Sequence, residues 1–161
     1  MREVDRIASE FERACGGDPW YGPAVQSILA GVGVNEAITH PVPGAHSMGE
    51  IVLHMTGWAR EVARRLRDGI AREPELGDWP ACTARTESEW QAIVAGLFAA
   101  NAELLAAMRA GDDAQLADRI GDARDPEIGS GVTRYVMLHG IVQHHVYHAG
   151  QLSLLKKATQ R

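Results

Sequence analysis

The chain has 161 residues, 45% hydrophobic and 23% charged, a composition that gives one globular domain a single substantial core and argues against disorder. Its net charge is −5, so no basic face is written for a nucleic-acid partner. No run approaches the roughly 18 uninterrupted apolar residues of a membrane span; the richest stretch, Val94 to Met108, is broken by Asn101 and Glu103.

Apolar spacing is helical almost throughout. Val4, Ile7, Ala8, Phe11 and Cys15 form one stripe over residues 2–15, and Gly16-Gly17-Asp18-Pro19 ends that helix. Pro23 suits the first turn of a short segment running to about Gly31, and residues 32–46, with Pro41 and Pro43, read as connection. Ser47-Met48-Gly49-Glu50 is a capping box that opens a helix to Asp68, with Gly69 as its left-handed stop. Its stripe is Ile51, Met55, Trp58, Val62 and Leu66, and His54 sits inside it. A second capping box, Thr86 to Glu89, opens a helix bearing Trp90, Val94, Leu97, Leu104 and Met108 and ending at Gly111; Asn101 interrupts this stripe and needs a partner if buried. Residues 111–132 read as loop, with room for a short hairpin and with Asp112-Asp113 and Arg124-Asp125 as solvated charges. A last helix spans 133–157 and ends on Lys156-Lys157, where positive charge suits the helix dipole.

Four helical blocks, three of them about 22–25 residues and so about 33–38 Å long, predict an all-α four-helix bundle over a single domain, residues 1–161. The long connection from 69 to 86 is a crossover that lets the second and third long helices lie parallel. Cys15 and Cys82 form no CxxC pair, and Met1-Arg2-Glu3-Val4-Asp5 lacks the apolar run of a signal peptide, so a cytoplasmic protein is expected.

Histidine carries the chemistry. At 100° per residue His148 lies about 40° around the last helix from His144, and Gln151 about −20°, on a face shared with Met137, Ile141 and Leu155. His145 is on the flank at about 100°, and His139 points away at about −140°. An i, i+4 pair can share one metal ion, and His54, inward on another helix, is the candidate third ligand; such a site keeps a coordination position open, as catalytic metals do. The H-x-x-x-H spacing is common by chance, and one histidine on an apolar stripe is ordinarily a packed core residue. Three inward imidazoles without matching carboxylates are harder to explain by packing. His46 is a rival ligand whose default is a solvated loop. Glu50 orients His54 or acts as a base, unless capping explains it fully. Gln151 is the candidate to hold His148 from behind, and Trp58 reads as core.

Pro43-Gly44-Ala45-His46-Ser47, Glu50-Ile51-Val52-Leu53-His54, Leu138 through His144 and Tyr147-His148-Ala149-Gly150-Gln151 resemble the DinB/YfiT-like superfamily, as do Trp20-Tyr21-Gly22-Pro23 and the Leu154-Leu155-Lys156-Lys157 ending. The likeness runs nearly end to end, and the H-x-x-x-H-A-G-Q element is its most specific part. The resemblance implies an up-down-down-up bundle, a divalent metal on His54, His144 and His148, and a homodimer. An acidic or amide residue is often found where this chain has His145. Members with assigned chemistry include thiol-dependent transferases and isomerases.

Three neutral imidazoles suit zinc or nickel, with ferrous iron a further candidate. A metal so held activates water, or keeps a thiol as its thiolate. The expected function is therefore that of a metal-dependent enzyme, an S-transferase using a low-molecular-weight thiol or a hydrolase, with no nucleic-acid or membrane partner. The alternative is a non-catalytic metal- or ligand-binding stress-response protein.

Overall fold

The structure, a computed structural model, describes residues 1–160. It is mostly helical, with one two-stranded sheet: α1 (Glu3–Gly16), α2 (Val25–Leu29), α3 (Val34–Ile38), α4 (Met48–Asp68), α5 (Glu87–Ala110), a 3-10 turn (Asp113–Ala117), β1 (Arg119–Asp125), β2 (Ser130–Thr133) and α6 (Arg134–Thr159).

The two capping boxes form as written. Ser47 Oγ accepts from the Glu50 amide at 3.2 Å while Glu50 Oε2 accepts from the Ser47 amide at 2.8 Å, and Thr86 with Glu89 repeats the arrangement. Gly69 closes α4 at φ 73°, a conformation that costs a residue with a Cβ but not glycine. Other local readings change. Pro23 precedes α2, which begins at Val25 after Ala24. The stretch read as plain connection contains α3, too short to show a periodicity. Asp113 is no idle loop charge: its carboxylate accepts from the amides of Glu3 and Val4 at 2.8 and 2.9 Å, capping α1 across the chain because Arg2 cannot. Asp112 caps the 3-10 turn through the Ala114 amide, Asp125 accepts from the Glu127 amide in the hairpin, and the Arg124 guanidinium donates to the Ser130 carbonyl.

Residues 111–132 hold the hairpin, an antiparallel pair with Arg119 opposite Thr133, Ile120 opposite Val132 and Asp125 opposite Ser130. Fully buried Ile120 and a Gly121 amide bond to the Gly69 carbonyl (3.1 Å) dock it against the end of α4.

The core divides in two. At one end Ile7 and Phe11 of α1 meet Ala59 and Val62 of α4, Leu104 and Met108 of α5 and Leu138 and Ile141 of α6. At the other, Ile28 of α2 meets Ile51 and Met55 of α4, Trp90 and Leu97 of α5 and Leu152 of α6. Each such Val, Leu, Ile, Met or Phe side chain, fully buried, contributes about 1.5–3 kcal/mol. The pairing shows that α4 and α5 run the same way and α6 runs against them. Arg2, at the start of α1, binds the carbonyls of Gly111 and Arg109 at the end of α5, so α1 also opposes α5. By length and mean hydropathy (1.5) α5 alone would pass for a membrane span; the uninterrupted-run criterion passes over it because of Asn101 and Glu103. In the fold Trp90, Leu97, Leu104 and Met108 spend that apolarity on the core.

Between the two apolar clusters lies a polar layer: His54 on α4, Asn101 on α5, and His144, His145 and His148 on α6. The crossover between α4 and α5 passes beside it as a strap running back along α4. Arg72 meets Glu61 and Arg65, Pro74 faces Gly57, Asp78 meets His54, and Cys82 packs on Gly49. The approach is tightest at Gly49, where a Cβ would stand 2.9 Å from that of Cys82; one on Gly57 would stand 3.1 Å from that of Pro74 and crowd it by a few tenths of an ångström.

Candidate metal centre

The histidine layer brings His54, His144 and His148 together from the two helices. His144 Nε2 lies 2.8 Å from His54 Nε2 and 3.1 Å from His148 Nε2. Nitrogens bound to one tetrahedral zinc at about 2.0–2.1 Å stand about 3.4 Å apart; the two pairs that include His144 are slightly closer than that, and all three ligand atoms lie within 4.8 Å of one another.

The outer nitrogens explain why Nε2 is the atom offered. His54 Nδ1 donates to the Asp78 carbonyl at 2.7 Å, and His148 Nδ1 donates to Gln151 Oε1 at 2.6 Å. A carbonyl oxygen only accepts, so each Nδ1 carries the ring proton and each Nε2 keeps its lone pair for the centre. His144 Nδ1 is buried without a partner. Burial disfavours the charged form of all three. It lowers His54, takes His148 to about 4, and takes His144 to about 2 with the neighbouring imidazoles adding to the effect. With His54 and His148 both offering a lone pair, the His144 Nε2–H lies between them, and a divalent ion would replace that proton; three neutral imidazoles so gathered are a donor set that fits one.

Asp78 and Trp79, both from the strap, were not singled out by sequence reasoning. Asp78 Oδ1 lies 3.2 Å from His54 Nδ1 and accepts from Trp58 Nε1 at 2.7 Å. Trp58 is therefore a half-buried hydrogen-bond donor beside the site and not simply core. The Trp79 ring is sandwiched between His54 (centroids 3.8 Å, interplanar 5°) and His46 (3.7 Å, 2°). His46 thus sits behind an indole and outside the triad. The only available signal was an Asp-Trp-Pro run in a loop too long for a simple turn.

Glu50 is not directed at His54. Its carboxylate serves the Ser47 cap and pairs with His40 at 3.0 Å and His46 at 3.5 Å, and these contacts outweigh burial to hold it below the usual glutamate range. His145 is fully buried and faces the opposite side: Nδ1 lies 3.1 Å from the Ile141 carbonyl, Nε2 lies 3.0 Å from the Asn101 side-chain amide, and the ring packs edge-on to Phe11. Burial takes it to about 3, so the neutral ring has a single N–H, which Nδ1 donates to the Ile141 carbonyl. Turning the Asn101 amide by half a rotation brings its otherwise unpartnered Nδ2 to the ring and satisfies both. This is the partner that Asn101 needed. His139 packs edge-on to Tyr135 and is not in the cluster.

The triad opens onto a cavity of about 500 Å³, walled by Trp58, Trp79, Ile141 and Tyr147 and bordered by the hairpin tip from Pro126 to Gly129. Clefts of similar volume elsewhere, such as one at the end of α5 (about 450 Å³), have no histidine in their walls, so chemistry and not size distinguishes this one.

A family model described as DinB superfamily matches residues 23–152. Among solved structures, a conserved protein from Enterococcus faecalis is similar in fold, with a TM-score of 0.61 and 21% sequence identity over 97% of this chain and 92% of that one. No curated protein matches the chain.

Proposed function

The chain belongs to the DinB superfamily, and on that premise we propose that it is a divalent-metal-dependent enzyme built on a four-helix bundle of up-down-down-up connectivity. The shared direction of α4 and α5, with α1 and α6 opposed, supports that topology. The observation that carries the functional reading is the convergence of three neutral imidazoles, from His54, His144 and His148, in the wall of an open cavity. A purely structural site would be closed by a fourth protein ligand, and the cavity opposes that alternative.

Zinc, nickel and ferrous iron each suit the donor set. When bound, the ion supplies Lewis-acid activation of a thiol or water at neutral pH. The chain's own residues do the remainder. His54, His144 and His148 hold the ion, while Asp78 and Gln151 keep two of the rings in the correct tautomer. Trp79 fixes the plane of His54. The proposed reaction is S-transfer: a low-molecular-weight thiol loses its proton to solvent, its sulfur bonds to an electrophilic carbon, and the displaced group leaves with its electron pair. No cysteine of the chain supplies that sulfur from the wall of the cavity, and burial pushes Cys15 up to about 12. The proposal includes a homodimer in the cytoplasm.

Metal content of untagged protein, followed by a panel of thiols with electrophilic acceptors, tests this. About one equivalent of metal and metal-dependent thiol consumption are expected; turnover of esters or amides without thiol would assign hydrolysis instead. Metal below about a tenth of an equivalent, with no uptake of added zinc or nickel, refutes the reading.

A further inference from the structure

We infer that Arg65 is the polar anchor of this cavity and receives the carboxylate of a ligand whose apolar body lies along Trp58. Arg65 is a cation only 2% exposed, yet its guanidinium is not fully engaged. Nε donates to Glu61 Oε1 at 2.8 Å and Nη2 donates to the Arg72 carbonyl at 2.7 Å. Nη1 has no hydrogen-bond partner among the described residues, and it is not among the atoms sealed from solvent. Arg65 lines the same cavity as His54, His144 and His148.

Glu61 is shared between Arg65 and Arg64, so its carboxylate does not serve Arg65 alone; Asp78 and Glu127 also line the cavity, so the anion is placed by the free Nη1 and not by the cavity's overall charge. Trp58 adjoins both ends and offers a flat apolar surface: the Arg65 guanidinium carbon lies 5.4 Å from its ring centre, and the ring is 6.5 Å from His54. Val62, Met137 and Ile141 complete an apolar wall between the two ends, and the hydrogen bond offered by Nη1 is charge-assisted. Glu61 and Arg72 hold the guanidinium in place before a ligand arrives, so little ordering remains to oppose binding. The inference deepens the proposed function by naming a substrate class. It rests on that reading only for which end of the ligand meets the histidines.

Calorimetric titration of 3-phenylpropanoate and its neutral counterpart 3-phenylpropan-1-ol tests it, using the full chain both metal-free and zinc-loaded. In the metal-free protein the carboxylate is expected to bind at least ~10-fold more tightly, a comparison in which no ion can attract it. The double variant E61Q/R65M removes both charges and should bring the two affinities within ~2-fold. In the unaltered chain the Arg65 Nε–H resonance should shift on saturation with the carboxylate and stay in place with the alcohol, a readout that does not depend on any variant folding. Equal affinities, an unshifted resonance, or a preference that survives in a folded double variant each overturn the inference. Zinc uptake is scored separately. Its loss with an intact carboxylate preference retires the metal reading alone, and uptake without the preference retires the Arg65 site alone.

Discussion

Replacing Glu61 with Gln tests how the strap is held against α4. Glu61 and Arg65 are both nearly inaccessible, with side chains 1% and 2% exposed. Glu61 Oε1 accepts from Arg65 Nε and from the Arg72 amide, both at 2.8 Å, and its other oxygen pairs with Arg64. The amide of glutamine can still accept from Arg72 but leaves the Arg65 charge buried without a counterion. Stranding one member of a buried pair costs about 3–5 kcal/mol, against a total of about 5–15 for a domain. Glu61→Gln should therefore lower Tm by roughly 6–20 °C, at about 2–4 °C per kcal/mol for a chain of this size. Removing both charges together, in E61Q/R65M, should recover most of that loss, because an apolar replacement spares the second ion its desolvation. Urea unfolding followed by far-UV circular dichroism, with the m-value unchanged, measures both. A cost below about 1 kcal/mol for Glu61→Gln, the level of a solvent-exposed pair, would refute the argument that burial governs this network. So would a double variant no more stable than the single one.

His148→Ala should abolish retention of zinc or nickel, whereas His139→Ala should leave it nearly untouched; equal effects in elemental analysis would contradict the convergence of His54, His144 and His148. Gln151→Ala frees the His148 ring and should weaken zinc affinity about 10–100-fold, measured by chelator competition, with the fold retained. Gly49→Ala drives a methyl into Cys82, should cost about 1–3 kcal/mol by overpacking, and should weaken metal binding through the displaced Asp78–Trp79 segment; Cys82→Gly in the same chain should restore both. The amides of Val4 and Glu3 hold the Asp113 carboxyl below its usual range. Its support of α1 is thus present above the ordinary aspartate value of 3.8 and lost as pH falls through the lower folded value. Asp113→Asn should speed hydrogen exchange in the first turn of α1 at neutral pH and remove its acid dependence there; unchanged exchange would show that the cap is idle.

Much of this architecture is legible without coordinates. The capping boxes at Ser47 and Thr86, the glycine at 69 and the apolar stripes of α1, α4 and α5 are interactions within a turn or two of helix, so the order of residues alone specifies them. The same holds for His144 and His148, because four residues make one turn and place both rings on one side. Even the flank position of His145 follows from its angle, and the structure turns that ring away to Asn101 and Ile141.

What tertiary structure decided depends on where an aperiodic segment travels. Residues 70–86 carry no repeat from which a path can be read, yet that path sets Asp78 against His54, slides Trp79 between His54 and His46, and covers Glu61 and Arg65. In the sequence the last two are an ordinary i, i+4 pair of the kind that decorates helix surfaces. Once the strap shuts out water they become a buried ion pair beside a cavity, because the energy of a charge depends on the dielectric around it, and that is a property of the whole fold.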